Sequence, residues 1–148
     1  MEEFSIIGDN RNYIKISFQE VYGFPESTCH WGGYEFRATV EIKSGSFTVK
    51  SFFWTSTGEL YEFYKKLESC NSELKGNVKF VNYEDNLEFA AKYDELGHVN
   101  VQGRFNELDE LNNELVFEFN SDQSFISSTL EELKPLVLKY GDMKGIRK

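Results

Sequence analysis

Cys29, His30 and Trp31 stand side by side in the stretch FPESTCHWGGYEF, Phe24 to Phe36. A thiol beside an imidazole suggests a nucleophile–base pair, and both groups bind zinc. Neither chemistry is complete here. Neighbours on an extended strand point to opposite faces, so adjacency keeps Cys29 out of reach of His30 unless the chain turns there. A zinc site would need further Cys or His partners, which this stretch lacks. The chain has only one other histidine, His98. Any Ser-His-Asp or Cys-His arrangement must therefore use His30 or His98. His98 follows Gly97 at an expected hairpin exit, opposite Val99, where exposure is expected. Phosphate-loop, dinucleotide and EF-hand patterns are absent, and the acidic run ELDELNNE (107–114) lacks calcium-ligand spacing. No catalytic residue, metal ligand or cofactor is assigned.

The carboxylates are unevenly placed. Between Glu84 and Asp122, 11 acids face two bases, Lys92 and Arg104, which accounts for the whole net charge of −9. Such a charge disfavours nucleic acid, whose phosphates need Lys and Arg. It fits either a solubilising surface or one that attracts a basic partner.

Elements must position these groups. Ile14–Ile16–Phe18, Tyr34 to Ile42 and Phe47 to Phe53 alternate apolar and polar residues, with Ser44-Gly45-Ser46 as a hairpin turn. Val78 and Phe80, Leu87 to Tyr93, Val99 to Phe105 and Leu115 to Phe119 repeat the style, with Gly103 marking a bulge or bend. Two segments have helical spacing. Ser56 with Glu59, and Ser128 with Glu131, form capping boxes ahead of apolar stripes, and Gly141 is a C-cap. Pro135 should kink or split the second helix. The order β4-α-β4-α predicts an α+β fold: one large curved antiparallel sheet with two helices packed on one face. The other face stays polar and open. The 148 residues, 40% of them apolar, form a single domain with an ordered core from about 4 to 141 and a flexible basic tail at 142–148. No export signal is visible in the first twenty residues and no apolar run reaches spanning length, so a cytoplasmic protein with free Cys29 and Cys70 is expected.

In such a sheet, strands 87–93, 97–105 and 114–119 run alternately. Glu84, Asp85, Glu107, Asp109, Glu110 and Glu114 then gather as an acidic rim at one end, a candidate partner-binding surface. Gly32 and Gly33 make CHWGG a structured turn. Its Trp31 either anchors that turn on the core or serves as a contact residue.

Segment order resembles the WapI-type family of bacterial immunity proteins. The resemblance rests on Gly23-Phe24-Pro25-Glu26, His30-Trp31-Gly32-Gly33-Tyr34, Val40 to Gly45, Ser56-Thr57-Gly58-Glu59 and Phe119 to Ser124. It spans Tyr13 to about Gly141 and implies a cytoplasmic antidote. Such a protein binds the C-terminal domain of a contact-delivered toxin, often a nuclease, and occludes it without cofactor, membrane or direct nucleic-acid contact. A monomer or weak homodimer is expected. The rival reading is a small-ligand binding protein or enzyme using the open sheet face, and a third is a subunit of a larger assembly.

Overall fold

Alternating segments become eight strands in a computed structural model that describes residues 2–146. The first four are β1 (Glu3–Ile7), β2 (Tyr13–Val21), β3 (Glu35–Ser44) and β4 (Phe47–Ser56). After helix α1 (Thr57–Glu73) come β5 (Asn77–Val81), β6 (Leu87–Tyr93), β7 (His98–Asn106) and β8 (Glu114–Asp122), then helix α2 (Gln123–Tyr140). The α+β class and the strand–helix order agree with the sequence reading. The single sheet does not: there are two antiparallel four-stranded sheets, ordered β1-β2-β3-β4 and β5-β6-β7-β8. Strands consecutive within each half pair with one another, whereas β4 and β5 are separated by the 17 residues of α1. That helix packs against β5 itself.

Both sheets contribute to one core. Phe18 stacks on Phe36 with ring centroids 3.9 Å apart, and Phe63 of α1 meets Phe80 and Phe89 edge-on. Burying each such side chain contributes about 1.5–3 kcal/mol. Gly103 forms no bulge, because β7 keeps its register with β6 and β8 throughout. A Cβ there would lie 2.5 Å from the Glu88 carbonyl and from the Phe117 ring, so the glycine admits close packing instead. The irregular register lies at Phe18/Glu20 in β2.

The helices also correct the sequence reading. Ser56 caps α1 as expected, with both arms of the box formed with Glu59. But α2 begins earlier than its Ser128 box, because the Asp122 carboxylate accepts from the Phe125 amide, 2.9 Å away. It runs through Pro135 as one helix and ends at Gly141. The helices pack on each other, α2 also against the edge strand β1 and α1 against β5, where Phe63 lies over Phe80 and Phe89. The Thr129 hydroxyl donates to the Ser5 carbonyl (2.6 Å), and the Ser5 amide donates to Glu132 (3.0 Å). Ser121, at the end of β8, donates to the Ile7 carbonyl at 2.6 Å. The outward groups of β1 are thus bonded by side chains, not by another strand. Of the segment expected as a tail, Met143 and Ile146 bond back to Gly33 and Tyr34; Arg147 and Lys148 lie outside the described residues.

Thr129 is 1% exposed, so Thr129→Val leaves the Ser5 carbonyl without its donor in a dry setting. The expected cost is about 1–3 kcal/mol, read as a lower urea midpoint with unchanged slope.

Candidate functional site

Asn82 and Asn86 bracket the sequence NYEDN between β5 and β6, and both are 2% exposed. Asn82 Oδ1 accepts from the amides of Asn86 (3.1 Å) and Leu87 (3.0 Å), closing the loop on itself. Its Nδ2 donates to the Trp54 carbonyl in β4 at 2.9 Å, while Asn86 Nδ2 donates to the Asn106 carbonyl at 3.2 Å. Two buried amides therefore hold this loop between sheet one and the end of β7. Their side chains point inward, and Tyr83, Glu84 and Asp85 are displayed.

This arrangement brings the expected acidic residues to one end of the second sheet. Glu84, Asp85, Glu107, Asp109, Glu110 and Glu114 are all exposed. Their roles in the geometry differ. Glu84, Glu107 and Asp109 line a depression of about 380 Å³ floored by Phe53, Trp54 and Phe105, with Phe52 and Leu108 at its sides. Glu114 lines an adjoining depression of about 310 Å³ that shares Phe105 and Glu107 and reaches Phe47. Asp85 is already paired: Arg104 donates to its carboxylate at 2.7 Å and to its carbonyl at 3.1 Å. Glu110 lines neither depression. Among the described residues, no Lys or Arg lines either one.

Trp31 is close to this end. Its ring stacks on Tyr83 with centroids 4.8 Å apart and planes within 1°. It remains 43% exposed, so it leans on the loop beside the rim and is not buried in the core. The CHWGG segment is a turn: the Cys29 amide donates to the Gly33 carbonyl (2.8 Å), and the Gly32 amide to that of Cys29 (3.2 Å). Gly33 has φ +63°, and an added Cβ would lie 2.3 Å from Thr57 Oγ1, so only glycine fits. The Ser56 hydroxyl donates to the Trp31 carbonyl at 3.4 Å, tying the turn to the start of α1. Tyr83 donates in turn to Glu35 of β3. Burial, then that carboxylate, push its phenol well above the ordinary value, so it stays a neutral donor.

The chemical candidates remain apart. Cys29 and Cys70 are free, and no group of three metal-ligating side chains occurs among the described residues. His30 packs edge-on against Trp31. His98 pairs with Asp94 (3.0 Å) in a shallow depression that also touches Ser121. That serine is no nucleophile, since its hydroxyl is bonded to the Ile7 carbonyl. Sequence reasoning missed Asn82, Asn86, Tyr83 and Glu35; the paired asparagines around Glu84 and Asp85 were the available signal, as turn formers.

Residues 5–141 match the model of the immunity protein WapI-like family. The chain belongs to this family, which supports an immunity role and implies a toxin as partner. Neither a curated protein nor a solved structure matches it. No helix among the described residues is long and apolar enough to cross a membrane.

Tyr83→Ala, made with Trp54→Phe to leave one indole, removes the stacking surface. Emission from Trp31 should shift to the red, with a stability cost of about 1 kcal/mol. An unchanged spectrum would mean that Tyr83 does not hold the indole.

Proposed function

We propose that the chain neutralises a cognate toxin domain in the cytoplasm by binding it one to one and covering its working surface. Glu84, Glu107 and Asp109 make the central contact, Glu110 and Glu114 extend it, and Trp31 flanks it through Tyr83. Asp85 contributes by shaping the loop through Arg104. The observation that carries this reading is the convergence of Glu84, Glu107 and Asp109 on one apolar-floored depression that no Lys or Arg lines among the described residues. Such a surface complements a protein with basic residues around an apolar patch. A nuclease domain fits that description, because its cleft must attract phosphate. The protein acts by occlusion and needs no chemistry of its own.

Co-expression with the toxin domain encoded beside its gene should restore growth to cells that the toxin alone arrests. Failure of rescue by soluble protein would overturn the reading. In the purified pair, charge reversal at Glu107, Asp109 and Glu110 should slow association on the order of tenfold and flatten its salt dependence. His98→Ala should protect cells as well as the parent chain, whereas an enzymatic role for the Asp94–His98 pair would make it fail.

A further inference from the structure

The first sheet has two edges, and the molecule treats them differently. On β1 the outward groups of Ser5 and Ile7 are bonded by Thr129, Glu132 and Ser121. On β4, the other edge, the Trp54 carbonyl turns away from β3 and accepts from Asn82. Backbone direction alternates along a strand, so Phe52, Lys50 and Thr48 also turn their N–H and C=O groups outward. Among the described residues, no strand pairs with them on that side. The two adjoining depressions lie along this edge, touching Phe47 to Val49 and Ser51 to Trp54. Their far wall carries Glu84, Glu107, Asp109 and Glu114. Phe47, Phe52 and Leu108 are all at least half exposed around it.

We propose that the β4 edge is a docking site for one extended strand of a protein partner, added to the sheet by main-chain hydrogen bonds. The strand that fits alternates basic and apolar residues. Its main chain satisfies Thr48, Lys50 and Phe52, its apolar side chains lie beside Phe52 on the outer face, and its Lys or Arg side chains, on the opposite face, reach the carboxylates of the depression. About eight residues span the edge, at about 3.3 Å each. A second copy of this chain is a poor occupant, because it would bring a net charge of −9 and its own acidic rim against the first. Nucleic acid is excluded by the same charge. This inference deepens the proposed function, since it assigns the mode by which the toxin is held.

The test uses the full chain, labelled for amide exchange, with an eight-residue peptide of alternating lysine and valine. The same peptide with glutamate for lysine is the control. The lysine peptide should slow exchange at Thr48, Lys50 and Phe52, and the glutamate peptide should not. Lys50→Pro deletes an outward N–H without touching the β3 ladder. It should weaken binding at least tenfold, while Lys50→Ala should not. Should Lys50→Pro lose its fold by circular dichroism, Glu84→Lys with Glu107→Lys must produce the same loss. Unaffected β4 amides, equal effects of both peptides, or retained binding in these variants overturns the proposal. Protection that rises with protein concentration alone overturns it in favour of a second copy. The outcome is separate from growth rescue: rescue with a silent β4 edge defeats this inference only, and peptide binding without rescue defeats only the toxin reading.

Discussion

Every strand at the end of a sheet presents amides that need a partner, and this constraint organises the molecule. Two sheets make four such edges: β1, β4, β5 and β8. Helix α2 closes β1 through Thr129 and Glu132, while α1 packs on β5 through Phe63 and Phe80. At β8, the Ser44 hydroxyl donates to the Glu118 carbonyl, which brings the β3–β4 turn against the second sheet. On β4 the Trp54 carbonyl is bonded by Asn82, and the candidate surface lies along the rest of that edge.

The same logic explains why the acidic loops are ordered in space. Glu84 is held by two buried asparagines, and Glu107 follows directly on Asn106, whose amide donates to the Asn86 carbonyl at 2.9 Å. Tyr83 is the shared post: it stacks on Trp31, bonds Glu35 and leads into Glu84. Fixing carboxylates in this way costs conformational freedom that a merely solubilising surface would keep. A preformed rim loses less on association.

Much of this was legible in the sequence, because period-two alternation and an Ser56–Glu59 box are local signals. Strand direction alone gathers the acidic residues at one end, and that direction follows from the alternating segments and their turns. The division into two sheets was not legible. Pairing across α1 depends on whether the helix packs over the sheet or beside its edge, and apolar periodicity is the same in both cases. β1 escaped notice because Phe4 and Ile6 are too few to establish a rhythm. The start of α2 was misread because Ser128 and Glu131 mimic a cap that Asp122 provides. Tyr83 and Glu35 are 48 residues apart, beyond any spacing rule.

The bonding of β1 by α2 also bears on how the chain is made. Ser5 leaves the ribosome well ahead of its partners Thr129 and Glu132, which are more than 120 residues later. Throughout translation the first strand therefore has an unshielded side. Contacts so distant in sequence form late and slow folding, while an open strand edge invites pairing with other chains. A prematurely terminated product, lacking the last helix, would carry that edge permanently. The closed β1 edge belongs to a chain that includes α2, not to growing fragments that stop before it.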